Sequence, residues 1–184
     1  MPVLQLLLGD CLERMKEIPD GSVDMILADL PYGTTRNQWD SVLPMDRLWH
    51  EFDRVAKLTA AVVLTAQAPF DKALGMSNIT NLKPEWIWKK EAGTGFLNAK
   101  KYPLESHENV LVFCRGVHTY NPQMEAGKPY SCKKDGGTDN YNANSRDEII
   151  RLNGGVRYPK AVLRFSRERI SSIQLKSPSL SWST

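Results

Sequence analysis

The stretch VDMILADLPYG, residues 23–33, decides the fold. Its first six residues make a largely apolar run of strand length, which ends abruptly in Asp29, Leu30, Pro31, Tyr32 and Gly33. In open α/β sheets ligands bind outside the carboxyl ends of the strands, and a loop that follows such a run directly lies at that edge. Pro31 removes a backbone donor and stiffens the loop, Gly33 lets it turn, and Tyr32 offers a flat apolar face beside the Asp29 carboxylate. A carboxylate and backbone carbonyls next to an aromatic plate form a receptor for a planar ring that carries an amino group. The same residues also fit an ordinary strand ending in a turn, so the neighbouring segments decide between the two.

Outward from this loop, residues 3–8, 60–65, 85–88 and 110–114 are further runs of strand length. Several are unbroken rather than alternating, as in strands buried on both faces. Residues 11–18 set Leu12, Met15 and Ile18 at helical spacing, with Asp10 placed to cap them. Residues 44–57 set Leu48, Phe52 and Val55 on one helical face. Strands alternating with helices predict a layered α/β fold around a mainly parallel sheet. From 119 to 156 the chain becomes rich in Asn, Gly, Asp, Tyr and Lys, with few apolar residues at any period. That predicts an inserted, partly irregular segment rather than a second core.

Composition sets limits around this reading. A chain of 184 residues with 41% hydrophobic content is expected to be one domain with a real core. A net charge of +3 does not by itself mark a nucleic-acid binder. The charge is lopsided, however: from Arg151 to Thr184 seven Lys or Arg face a single acid, Glu168. Such an end suits phosphates and suits a merely solvated tail equally. Cys11, Cys114 and Cys132 are scattered and odd in number, which suggests neither a disulfide framework nor a metal cage. Residues 4–8 are too few for a signal peptide or a membrane span, and Asp10 follows at once, so the chain reads as cytoplasmic with no membrane partner.

Taken together, GDCLERMKEIPDGSVDMILADLPYG resembles the opening of the DNA amino-methyltransferases that modify adenine N6 or cytosine N4. The likeness continues through LWHEFDRVAK, AVVLTAQAPF, EWIWKK, GFLNAKKYPL and HENVLVFCR, in order and almost without gaps over roughly the first 115 residues. The resemblance implies a three-layer, Rossmann-like fold with a mainly parallel sheet and permuted order. It divides the chain into a catalytic half at 1–118, a target-recognition segment at 119–156, a returning strand at 157–170 and an aberrant tail at 171–184. It also implies methyl transfer from S-adenosylmethionine to the exocyclic amine of a base flipped out of double-stranded DNA, as in a restriction-modification system. Tyr32 would stack on that base, and Asp29 with the Leu30 or Pro31 carbonyl would accept hydrogen bonds from its amine. No metal or covalent intermediate is required, so catalysis would rest on orientation and electrostatic stabilisation.

Other roles follow from the same resemblance. Leu30 stands where the family commonly has proline, a change that keeps the carbonyl and loosens the loop. An acid at position 29 leans toward adenine N6 over cytosine N4. Gly9, Asp10 and Asp29 would lie near the cofactor, although Asp10 equally suits a helix cap. Lys100, Lys101 and His107 are candidates for the DNA-facing surface. Trp86 and Trp88 alternate in a strand and fit plain packing as well, while His50 and His118 have no evident partner.

In the family, a His-Pro-Thr motif and a glycine-rich, cofactor-binding strand and helix follow the returning strand, which RYPKAVLRFSRER resembles. No such glycine-rich sequence occurs in these 184 residues, and GTG at 93–95 stands in the wrong context. The tail SIQLKSPSLSWST has no apolar periodicity. Read one base out of frame through permitted codons, it yields HPTEKPVALMEY, the motif due at that point. The expectation is therefore a frameshift near Ser171 or Ser172, loss of the cofactor-binding strands, and a remnant that binds at most DNA. A complementing chain would be the alternative source of the missing half, and a homodimer is the other protein partner to consider. Sequencing the gene checks this: codons for residues 172–176 that spell His-Pro-Thr in a neighbouring frame are expected, and codons that cannot do so exclude the frameshift.

Overall fold

The computed structural model describes residues 4–38, 40–134 and 149–165. The run at 23–28 forms β1 (Val23–Asp29), and the next apolar run forms β2 (Ala56–Ala66). They are followed by β3 (Trp86–Thr94), β4 (Glu105–Phe113), and the short strands β5 (Glu125–Ala126), β6 (Tyr130–Lys134), β7 (Ile149–Asn153), β8 (Val156–Arg157) and β9 (Val162–Arg164). Five of them make the main sheet in the order β1-β2-β4-β3-β9. β1 runs parallel to β2 and β3 parallel to β9, while β4 is antiparallel to both of its neighbours. Four strands thus point one way around a single reversed strand, the mainly parallel sheet expected from the alternation of segments.

Among the described residues three helices pack on this sheet. α1 (Cys11–Arg14) passes into one turn of 3-10 helix, and Asp10 caps it by accepting the Leu12 N–H at 2.8 Å. α2 (Met45–Val55) turns Leu48, Trp49, Phe52 and Val55 inward at three- and four-residue spacing. The sequence reading gave no helix at α3 (Phe70–Ser77), whose short apolar face is Phe70 and Leu74. Near the end of α2, the Arg54 guanidinium donates to the Met15 carbonyl at 2.7 Å and the Ile18 carbonyl at 2.9 Å. It thereby adds a second donor to the Met15 carbonyl, which also accepts the Ile18 N–H, and engages the Ile18 carbonyl where the 3-10 turn ends. Trp49 Nε1 donates to Ser77 Oγ at 2.8 Å and ties α2 to α3.

Residues paired across a ladder share a face, so the register sorts the sheet into two sides. On one side Val62, Leu64, Ala66, Leu111 and Phe113 are buried beneath Leu48, Trp49, Phe52, Phe70 and Leu74 in a single cluster, which also takes in Leu12 and Met15. On the other side Leu27 pairs with Val63, and Val63 with Val112. There Leu27 is 70% exposed. Among the described residues all three helices join the first side, which gives two of the three layers that the resemblance implied.

Residues 4–8, expected as a strand, have no regular structure, and Leu4, Leu6 and Leu8 are exposed. A strand needs neighbours to take its N–H and C=O groups, and nothing among the described residues pairs with this one. The segment at 119–156 contributes two small two-stranded sheets, β5 with β8 and β6 with β7. The tail at 171–184 lies outside the described residues. The two faces predict different costs for truncation. Leu64→Ala, at a fully buried position, should cost about 3 kcal/mol in urea unfolding. Leu27→Ala should stay within about 0.5 kcal/mol; equal losses would mean that both faces are covered.

Candidate functional site

Asp29 is the last residue of β1, and the parallel register sets it directly beside Thr65 on β2. The chain then drops Leu30 into the core, where it is only 8% exposed. The leucine side chain anchors the loop from below, and Pro31 stiffens it from within. Tyr32 packs against the same core, its ring stacked on Phe70 with centroids 5.3 Å apart and planes 25° apart. Offset stacking of this kind fixes the ring plane. One face of Tyr32 is thereby spoken for by Phe70, a residue that the sequence reading had left without a role.

The polar end of Tyr32 is equally fixed. Its hydroxyl lies 2.8 Å from Asp29 Oδ1 and 3.0 Å from Thr65 Oγ1, and the Thr65 hydroxyl donates to the same carboxylate oxygen. Two hydroxyls thus gather around Asp29 Oδ1. No described residue bonds Oδ2, which leaves one carboxylate oxygen able to accept from an incoming N–H group. Burial pushes the Tyr32 phenol well above its ordinary pKa, and the charge of Asp29, with Glu108 adding less, acts in the same direction.

Beyond Tyr32 the chain turns back on itself. Gly33 has φ +68, and a Cβ there would meet Val42 Cγ2 at 2.9 Å, so the position requires glycine. Buried Asp40 accepts the N–H groups of Gly33 at 2.9 Å and Thr35 at 2.6 Å, closing the loop. The Thr35 hydroxyl and these backbone donors hold the Asp40 carboxyl below its usual range. Asp40 lies seven residues beyond Gly33, and an acid in a polar connection before a helix was the only signal that could have found it.

A second carboxylate lies on the same side of the sheet. Glu108 on β4 is partnered by Trp88 in the register and forms an ion pair with Lys90. At the floor of the site, Asp71 of α3 is buried and accepts from Asn109 Nδ2 at 2.5 Å, clipping α3 to β4 next to Phe70. The remaining candidates lie apart from this cluster. His107 is exposed and points to the opposite side from Glu108, as neighbours on a strand must. Lys100 and Lys101 are exposed in the turn before β4. Gly9 and Asp10 stand at the start of α1, where Asp10 serves as the cap.

No family model matches the chain, and no curated protein matches it. Solved structures do. The PvuII DNA methyltransferase, described as cytosine-N4-specific, superposes with a TM-score of 0.52 and 11% identity over 90% of this chain and 58% of that one. The fold is that of a DNA methyltransferase. Weaker likenesses, at TM-scores of 0.41 and 0.44, are to the complex of M1.HpyAVI with S-adenosylmethionine at 12% identity and to the DNA modification methylase TTHA0409 from Thermus thermophilus, complexed with S-adenosyl-L-methionine, at 16%. They cover 58% and 63% of this chain. The chain spans 50%, 58% and 57% of the HpyAVI, PvuII and Thermus chains respectively.

Within this methyltransferase fold the Tyr32 hydroxyl can be followed directly. Its raised proton affinity means that it contributes stability fully present below the ordinary tyrosine pKa of about 10 and lost as pH rises toward the folded value. In alkaline difference spectroscopy one of the six tyrosines should ionise only at the highest pH, and Tyr32→Phe should remove that late step. A titration unchanged by Tyr32→Phe would show that the hydroxyl is not held by Asp29 and Thr65.

Proposed function

We propose that this chain is the base-receiving half of an S-adenosylmethionine-dependent DNA methyltransferase acting on the exocyclic amine of a flipped base, adenine N6 in preference to cytosine N4. The observation that carries the reading is Asp29. It ends a strand at the carboxyl edge of the sheet, keeps one oxygen unengaged among the described residues, and stands beside an aromatic ring whose plane is set by Phe70. A base swung out of the duplex would stack on the open face of Tyr32, and its amine would donate to Asp29 Oδ2. Unstacking costs a few kcal/mol, which stacking and these hydrogen bonds offset. Drawing the amine toward a fixed carboxylate turns its lone pair away from the ring, so the chain's contribution is orientation and electrostatic stabilisation. The lean toward adenine rests on an acid, rather than serine, at position 29.

S-adenosylmethionine would supply the methyl group. The chain's residues fit it only in part. Gly9 and Asp10 would meet the adenosine, and one Asp10 oxygen already caps α1. The described residues offer no glycine-rich turn leading into a helix, the element that holds such a ligand through backbone N–H groups. That observation favours a second reading for these residues taken alone: a chain that keeps the base pocket and a DNA-facing surface, to which Lys100, Lys101 and His107 contribute, without holding cofactor.

Binding and thermal unfolding separate the readings. The chain should bind a duplex carrying a mismatched, easily flipped adenine more tightly than its cytosine counterpart, and Asp29→Ala should remove about tenfold of that affinity, ~1.4 kcal/mol. Excess S-adenosylmethionine should leave the unfolding temperature of the chain alone unchanged. A stabilisation near 2.7 kcal/mol at about 100 times Kd would instead place a complete cofactor site in these residues. Equal binding of both duplexes, indifferent to Asp29→Ala, would sink the base-receiving assignment.

A further inference from the structure

The two small sheets, β5 with β8 and β6 with β7, form one two-stranded ribbon. Glu125 and Ala126 pair with Arg157 and Val156, and Tyr130–Lys134 pair with Ile149–Asn153 in the same antiparallel sense. Between the two ladders the Gly127 N–H donates to the Gly155 carbonyl at 2.6 Å, which keeps the strands together across the gap. There residues 127–129 on one strand stand against 154–155 on the other. One residue in excess is the mark of a bulge, and a bulge bends its strand and re-aims the side chains beside it.

The side chain aimed here is that of Arg157. Its guanidinium lies over the Tyr130 ring, 4.8 Å from the centroid, and its Nη2 donates to the Lys128 carbonyl at 2.7 Å. It crosses Gly127 so closely that a Cβ there would collide with Arg157 Nε, so position 127 requires glycine. Stacking, a backbone hydrogen bond and this close approach hold the planar fork in one orientation, while the residue stays exposed. Only Nη2 is engaged among the described residues, which leaves the other N–H donors of the fork open. Glu125 stands opposite Arg157 in the ladder, yet among the described residues no carboxylate pairs with the guanidinium. An arginine that merely solvates gains nothing from a fixed orientation. One that must meet two acceptors at set positions does.

We propose that Arg157 reads a guanine in the major groove of the DNA, donating two parallel N–H groups to its O6 and N7. The assignment rests on the DNA methyltransferase function proposed above. A two-stranded ribbon is narrow enough to enter that groove, and guanine alone presents two acceptors side by side there; adenine puts an amino donor where O6 would be. Lys128 on the ribbon and Lys160 just beyond it are exposed, and they supply phosphate contacts, which fix register and carry no sequence. β9, which closely follows β8, borders the main sheet on the edge opposite β1. The guanine is accordingly a flanking base, distinct from the one presented to Asp29.

The test selects duplexes from a randomised pool with the full chain and with Arg157→Lys, then measures Kd on the selected and on unselected duplexes. The chain should enrich guanine at one position. Arg157→Lys, which keeps the charge and loses the fork, should abolish that preference and weaken the selected duplex about tenfold, while unselected duplexes change by less than about twofold. 7-Deazaguanine at the same position deletes N7 and leaves the protein untouched. It should cost the chain about tenfold in Kd and cost Arg157→Lys nothing further. Equal losses on every duplex would make Arg157 a phosphate contact and overturn the proposal. So would the absence of any guanine preference, or a preference that survives both Arg157→Lys and 7-deazaguanine. A preference that Arg157→Lys removes, in a chain whose binding of the mismatched duplex is indifferent to Asp29→Ala, would uphold the guanine reader and remove the base-receiving reading. Dependence on Asp29 with no guanine preference would do the reverse.

Discussion

The parallel pairing of β1 with β2 is the constraint on which the rest of the structure depends. Its register sets Asp29 beside Thr65, and the same register sends Ile26 and Ala28 toward the helices and Leu27 away from them. Because side chains alternate with a period of two, a slip of one residue would turn Asp29 into the core and Leu27 beneath α2. Leu30 holds against such a slip from the far end of the strand: its buried side chain fixes where the loop leaves the sheet. The carboxylate at the edge and the leucine in the core are thus two ends of one positioning device.

Rigidity in the loop comes from interactions of two kinds. Apolar packing sets the plane of Tyr32, through Phe70, and hydrogen bonds set its tip, through Asp29 and Thr65. A third restraint, Asp40 on the Gly33 and Thr35 N–H groups, closes the loop so that Tyr32 has little freedom to swing. Preorganisation of this sort is what a site needs when it works by orientation rather than by a reactive side chain. Beneath it, the buried Asp71–Asn109 bond makes the position of Phe70 depend on β4, so the ring is referenced to the sheet and not only to its own helix.

Much of the architecture was legible because it depends on local pattern. The runs that became β1, β2, β3 and β4 were visible as apolar segments, and α2 as Leu48, Phe52 and Val55 on one face. Asp10 could be recognised as a cap because capping involves only the next turn of chain. Residues 4–8 show the limit of such reasoning. Five residues of strand composition remain without regular structure, since strand formation is a property of a pair and composition describes one member only. α3 escaped notice for a related reason: Phe70 and Leu74 are too short a pattern to stand out until β2 and β4 supply the surface they cover.

The sequence by itself determined the runs that became β1 to β4, the apolar face of α2, the carboxylate at the end of β1, and the aromatic three residues beyond it. These are covalent neighbours, and their spacing along the chain fixes their spacing in space. Only the tertiary structure decided that Thr65, Phe70, Asp40 and Asn109 serve the same site, because each comes from a different element and reaches it through sheet register or helix packing. It also decided which side of the sheet is covered. Composition gave β1 the character of a strand enclosed on both faces, and the packing of α1, α2 and α3 on a single side left Leu27 and Trp86 in water. Burial is a relation between elements, and a linear pattern can announce the need for a covering layer without showing what supplies it.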